Sequence, residues 1–175
     1  AIRFCDMLQL SHQQSERLGL ARTQFEMVSM IDVVTGLYNR RYFERGLRES
    51  FAGAKRYQRP LTCLVLRIDN HKSLKQTHGE SCYNEILDTI GQSVKQLIRE
   101  ADTVARIDHD IFGFILPETP DLGCKRLEER ITEKLGQTTY PNQANMAFST
   151  ATSTYNDSME KPRELLEQAL NSLPA

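Results

Sequence analysis

Asp108, His109 and Asp110 form a tight polar turn between two apolar runs in residues 105–117, so the stretch reads as a hairpin with two carboxylates and an imidazole at its tip. His71 and His78 lie on either side of Lys72, yet no helical His pair four apart and no Cys/His spacing points to zinc. These histidines read as solvated loop residues. Cys82 and Cys124 have no base close by in sequence, which leaves nucleophilic catalysis without support. Arg99 and Asp102, three residues apart, set a fork of donors beside an acceptor. Alone, such a pair is as ordinary as a solvated ion pair.

The elements that position these residues follow from apolar periodicity. Residues 1–30 hold no Pro and one Gly, and Phe4, Met7, Ser11, Gln14, Leu18, Ala21, Phe25 and Val28 recur at steps of three and four. Six of these eight are apolar, which reads as a heptad seam on a helix about 42 Å long. It is either a stalk that pairs with another copy or an amphipathic helix packed on its own domain, since Ser11 and Gln14 are polar. Gly36 breaks the helix and Asn39 can cap the next one, which runs to about residue 54. Pro60 precedes a strand over Leu61–Ile68, a near-continuous apolar run expected to be covered on both faces. A helix is expected over 83–100, then the hairpin, a helix over 122–135, a strand over 146–154 and a last helix over 163–173. This alternation is α/β (α+β), one sheet with helices on its faces. Residues 1–31 read as the helical stalk and 32–175 as the domain.

Composition agrees with a soluble chain: 175 residues, 39% apolar, net charge −1. No apolar run approaches the roughly 20 residues of a membrane span, so no direct membrane insertion is expected. Overall charge makes no case for nucleic acid or an anionic membrane as partner. Cys5, Cys63, Cys82 and Cys124 are scattered without close pairing, as in a reduced, cytoplasmic protein. A helical pattern already running at Ala1 suggests a piece of a longer protein, cytoplasmic or the cytoplasmic part of a membrane-anchored one.

Residues 32–43 (Asp-Val-Val-Thr-Gly-Leu-Tyr-Asn-Arg-Arg-Tyr-Phe) resemble the opening motif of the GGDEF family, the diguanylate cyclases, with Val34 in place of its Leu. Asp108-His109-Asp110-Ile111-Phe112 resembles the family's Gly-Gly-Asp-Glu-Phe turn in degenerate form, and residues 64–87 follow the Asp-Ile-Asp-x-Phe-Lys segment between them. The resemblance implies a nucleotidyl-cyclase palm-like fold with a central, mainly antiparallel sheet flanked by helices. Arg40-Arg41 then belongs to helix-start packing. The family condenses two GTP into cyclic di-GMP across a homodimer.

By that resemblance the metal ligands fall at Arg67 and Asp110. Mg²⁺ takes oxygen ligands, and a guanidinium cannot ligate it. Arg67 is therefore expected to occupy the metal's place and pair with Asp110; the other reading has it swing to solvent. The turn's Glu is Ile111, which neither binds metal nor moves a proton. Asp108 and His109 replace the two glycines, and Asp108 adds negative charge where a triphosphate would sit; because Asp tolerates left-handed geometry, the hairpin is still expected to close. The guanine readers fall at Lys75 and Asn84 and keep neither chemistry. The family's Lys-x-x-Gly-Arg-like tail has no counterpart before Ala175. No Mg²⁺ cofactor and no catalytic residue are expected.

Arg99-Glu100-Ala101-Asp102 stands where the family carries Arg-x-x-Asp, an inhibitory site for cyclic di-GMP, and Arg130 in Glu128-Glu129-Arg130-Ile131 matches a third arginine. An Arg fork reaches a guanine edge or a phosphate while Asp accepts from guanine N–H. The resemblance thus implies an inactive signalling domain with cyclic di-GMP as its regulatory ligand, bound by Arg99, Asp102 and Arg130, and a homodimer or a partner signalling protein. A ligand-free dimerisation or docking scaffold is the alternative, and a residual cyclase or GTP sensor the third.

Overall fold

The structure is a computed structural model that describes Arg17 and residues 30–175. The heptad seam from Phe4 to Val28 lies outside the described residues. The chain divides into two compact units, Ala1–Ile31 and Asp32–Ala175.

The second unit holds five strands: β1 (Tyr38–Asn39), β2 (Leu61–Ile68), β3 (Thr103–Arg106), β4 (Ile111–Pro117) and β5 (Phe148–Thr154). Its helices are α1 (Arg40–Tyr57), α2 (His71–Lys95), α3 (Asp121–Gln137) and α4 (Pro162–Asn171), with a 3₁₀ turn at Pro141–Gln143. The sheet order is β1-β3-β4-β2-β5, with every pairing antiparallel except β1 with β3. This is the mainly antiparallel, helix-flanked sheet expected.

Alternation along β2 builds the two-sided core. Leu64, Leu66 and Ile68 join a cluster with Tyr83, Ile86, Leu87 and Ile90 of α2 and Cys124, Leu127 and Ile131 of α3. Leu61, Cys63 and Val65 join the other, with Phe43, Leu47 and Phe51 of α1 and Leu165 and Ala169 of α4. Asn39 starts α1 as foreseen, its side chain accepting from the backbone N–H of Tyr42 at 3.0 Å. Gly113 has no room for a side chain: a Cβ there would stand 2.8 Å from Phe43 Cε2 and 3.2 Å from Ile107 Cδ1. That absence lets α1 lie directly on β4.

One helix departs from expectation. α2 begins at His71, not near 83, and ends at Lys95, not 100, with a break at Gly79, whose φ is 83°. Only Leu74 and Cys82 of its first twelve residues are buried, so that turn of helix carries almost no apolar signal. The segment after Lys95 is a turn, closed by Asp102 N–H donating to the Arg99 carbonyl at 3.1 Å.

Candidate functional site

The β3–β4 turn is held from several sides. The backbone N–H groups of Ile107 and Asp108 both donate to the Ile111 carbonyl, at 2.9 and 3.2 Å. The N–H of Ile68, at the end of β2, donates to the Asp110 carbonyl at 2.8 Å. Arg106 donates through Nη2 to the His109 carbonyl at 3.0 Å and through Nη1 to Asp32 Oδ2 at 3.4 Å. Asp32 in turn accepts from the N–H and hydroxyl of buried Thr35, at 2.9 and 2.8 Å. One arginine therefore ties the loop before α1 to the hairpin tip. Asp108 and His109 both keep negative φ, so the turn closes without the left-handed geometry foreseen for Asp108. Asp108 Oδ1 instead accepts from the N–H of His109 at 2.7 Å.

Arg67 and Asp110 do not pair, which corrects the expectation. Arg67 faces Ile111 across the β2–β4 ladder and Ser149 across β2–β5. Its guanidinium runs to Asp69, with Nε 2.8 Å from Oδ1, and donates through Nη2 to the Pro174 carbonyl at 2.6 Å. Asp69 is nearer along the same strand end, and it also accepts from the Ser149 hydroxyl at 2.5 Å. Asp110 goes to His71, whose Nδ1 stands 3.2 Å from Oδ2 and 3.2 Å from the Ile68 carbonyl. Both neighbours are acceptors, so Nδ1 carries the proton. A guanidinium at one ligand position and an imidazole N–H on the other carboxylate do not fit Mg²⁺. Among the described residues no group of three His, Cys, Asp or Glu side chains could hold a metal ion.

The other altered positions have local partners of their own. Lys75 lies 3.3 Å from Glu80 and over the Tyr83 ring, 4.9 Å from its centroid. The Tyr83 hydroxyl donates to the His109 carbonyl at 3.3 Å; burial first, then the Asp110 carboxylate, pushes its pKa up to about 12. Asn84 is half-buried on α2. Ile111 packs against the α1–α4 core and, with Phe43, Leu166 and Leu170, lines a small cavity of about 40 Å³. The thiols are equally unavailable: burial pushes Cys63 and Cys124 up to about 12.

A second cavity, of about 220 Å³, opens between the turn after α2 and the start of α3. Arg99, Asp102 and Arg130 all line it, so the three residues picked from sequence come together. Arg126 lines it too and was not foreseen, although it precedes Arg130 by four residues and so shares its helix face. Leu97, Leu116 and Leu127 supply an apolar floor. Asp102 Oδ2 accepts from the N–H of Arg99 at 2.9 Å, which fixes the carboxylate at the rim. Among the described residues no carboxylate forms an ion pair with the guanidinium of Arg99, Arg126 or Arg130. Three guanidinium groups with a single carboxylate beside an apolar floor suit a planar, anionic ligand.

The family described as "Diguanylate cyclase, GGDEF domain" matches residues 29–174. The chain is 29% identical over 162 residues to the probable diguanylate cyclase DgcC of Escherichia coli K12, covering 91% of this chain and 44% of that protein. It is 31% identical over 142 residues to the diguanylate cyclase DosC of the same strain, covering 79% and 31%. The chain thus spans less than half the length of either relative. Among solved structures, the coiled coil and GGDEF domain of DgcB from Caulobacter crescentus, in complex with c-di-GMP, superposes with a TM-score of 0.85 at 20% identity, covering 95% of this chain and 90% of that one. The FimX GGDEF domain from Pseudomonas aeruginosa gives 0.77 at 21%, covering 82% and 90%. At these identities the likeness is one of fold.

Proposed function

The chain belongs to the GGDEF domain family, and from that premise we propose that it is a signalling domain without cyclase activity that binds cyclic di-GMP in the cavity of Arg99, Asp102, Arg126 and Arg130. The observation that carries this reading is the contrast between two sites on one domain. At the hairpin the polar groups are engaged with one another, Arg67 with Asp69 and Asp110 with His71. At the second cavity three guanidinium groups are, among the described residues, left without an ion-paired carboxylate. A dianionic dinucleotide would relieve their mutual repulsion, which the single carboxylate of Asp102 offsets only in part.

The chemistry of recognition follows from the donors. Arg99 offers a planar fork to a guanine edge or a phosphate, and Asp102 accepts guanine N–H groups. Leu97, Leu116 and Leu127 give a base an apolar surface to lie on. Arg126 and Arg130 project from one face of α3 toward the phosphates. A base would lie on the apolar floor and the rest of the ligand would cross the arginines. That DgcB is solved with c-di-GMP supports the choice of ligand. Occupancy would pass to attached domains or partners by favouring whichever arrangement binds the ligand more tightly.

Retention of labelled cyclic di-GMP tests the reading. Wild type is expected to hold the label, to release it to unlabelled cyclic di-GMP and to keep it against GTP. Equal retention by Arg99→Ala and wild type, or release by GTP, would remove the site from consideration.

A further inference from the structure

α1 carries six basic residues and two carboxylates within Arg40–Tyr57, although the whole chain has a net charge of −1. Its buried side is Phe43, Leu47, Phe51 and Ala54. At about 100° per residue, Arg41, Arg45 and Arg56 fall on the opposite side and Arg48 and Lys55 on its flank, and all five are exposed. Glu44 turns to Arg40 at 2.9 Å and Glu49 reaches Arg45 at 3.9 Å. Among the described residues no carboxylate pairs with Arg41, Arg48, Lys55 or Arg56. The cations span sixteen residues, Arg41 to Arg56, about 22 Å of helix. Average charge conceals this face, because the acidic residues that balance it lie elsewhere in the domain.

We propose that the outer face of α1 adsorbs to an anionic phospholipid surface. Charge complementarity is the first reason: clusters of four to eight Lys and Arg on an amphipathic helix bind acidic headgroups, each near cation contributing about fivefold in affinity. Shape is the second. α1 lies flat on the sheet along its whole apolar side, with α4 packed beside it, so among the described residues its outer face is left uncovered. A helix so embedded cannot enter a nucleic-acid groove, whereas a plane of headgroups meets all five cations together. The contact is adsorption and not insertion: no described helix is long and apolar enough to cross a membrane. α1 and α3 pack in different core clusters on opposite faces of the sheet, so the inference is independent of the cyclic di-GMP reading.

Co-sedimentation of the chain with vesicles decides it. Wild type is expected to pellet with phosphatidylglycerol–phosphatidylcholine vesicles at low ionic strength, to stay in solution with phosphatidylcholine alone, and to be released near 1 M salt, where charge interactions are screened beyond about 3 Å. Arg41→Gln/Arg48→Gln/Lys55→Gln is expected to bind roughly a hundredfold more weakly with unchanged circular dichroism, and Arg48→Gln alone about fivefold more weakly. Lys125→Gln, on α3, should bind as wild type. Absence of wild-type sedimentation, wild-type binding by both α1 variants, or binding to duplex DNA without binding to vesicles would overturn the proposal.

Discussion

His71 Nδ1 stands 3.2 Å from Asp110 Oδ2, so the carboxylate that the family resemblance would assign to a metal is already engaged by a neighbouring side chain. Across the same ladder, Arg67 is committed to Asp69 and to the Pro174 carbonyl. No product is therefore expected when the chain is incubated with GTP and Mg²⁺ or Mn²⁺. Arg67→Asp alone should stay inactive, because by the family resemblance positions 75, 84 and 111 are altered as well, and groups that act as a unit are not restored one at a time. Nucleotide chromatography of the reaction checks this, and cyclic di-GMP from wild type or from Arg67→Asp would contradict it.

Ile111→Glu restores the family's residue but places a carboxylate against Phe43, Leu166 and Leu170. The expected result is a loss of about 1–3 kcal/mol in urea unfolding with no gain of activity. Unchanged stability would mean that the side chain is not packed there.

Gly113→Ala puts a Cβ 2.8 Å from the Phe43 ring, itself fully buried. The ring cannot retreat without displacing α1, so a cost of about 1–3 kcal/mol is expected from overpacking. Phe43→Leu in the same background should recover part of it, and a double-mutant cycle measures the coupling.

Alkaline pH should unfold this domain early. Cys63 and Cys124 are raised from 9.0 to about 12, and Tyr83 and Tyr140 from 10.0 to about 12, in every case chiefly by burial. Above pH 9 the unfolded chain sheds protons that the native chain keeps, so the native state binds more protons and stability falls with rising pH. Stability from these groups is fully present below pH 9 and lost as pH approaches 12. Thermal melts at pH 8 and pH 11 should show a lower midpoint at pH 11. Cys63 and Cys124 should also resist thiol reagents at pH 8 until the protein unfolds.

Much of this fold is legible in residue order. The run from Leu61 to Ile68 is apolar on both faces but for Thr62 and Arg67, as in a strand covered on two sides. Asn39 announces α1 because its side chain can serve a backbone donor that helix geometry leaves open. The start of α2 is hidden, since Leu74 is the lone buried residue before Cys82 and Gly79 interrupts the helix. Arg99, Asp102 and Arg130 were singled out by the family resemblance and not by spacing alone, and all three line one cavity. Arg67 was misplaced for a different reason. Sequence shows which residues share a site but not which of two nearby carboxylates a long guanidinium will choose, and here Asp69, two residues along the strand, wins over Asp110. Likewise His71 lay in a segment without periodicity, and its contact with Asp110 spans the gap from α2 to the hairpin.

Isothermal titration of cyclic di-GMP into the chain tests the central claim most directly. Saturable heat with wild type is predicted, with affinity at least tenfold weaker in Arg99→Ala and Asp102→Ala, the cost expected when a charge-assisted hydrogen bond of about 1.5–3 kcal/mol is removed. No heat with wild type, or the same isotherm for all three proteins, would contradict it.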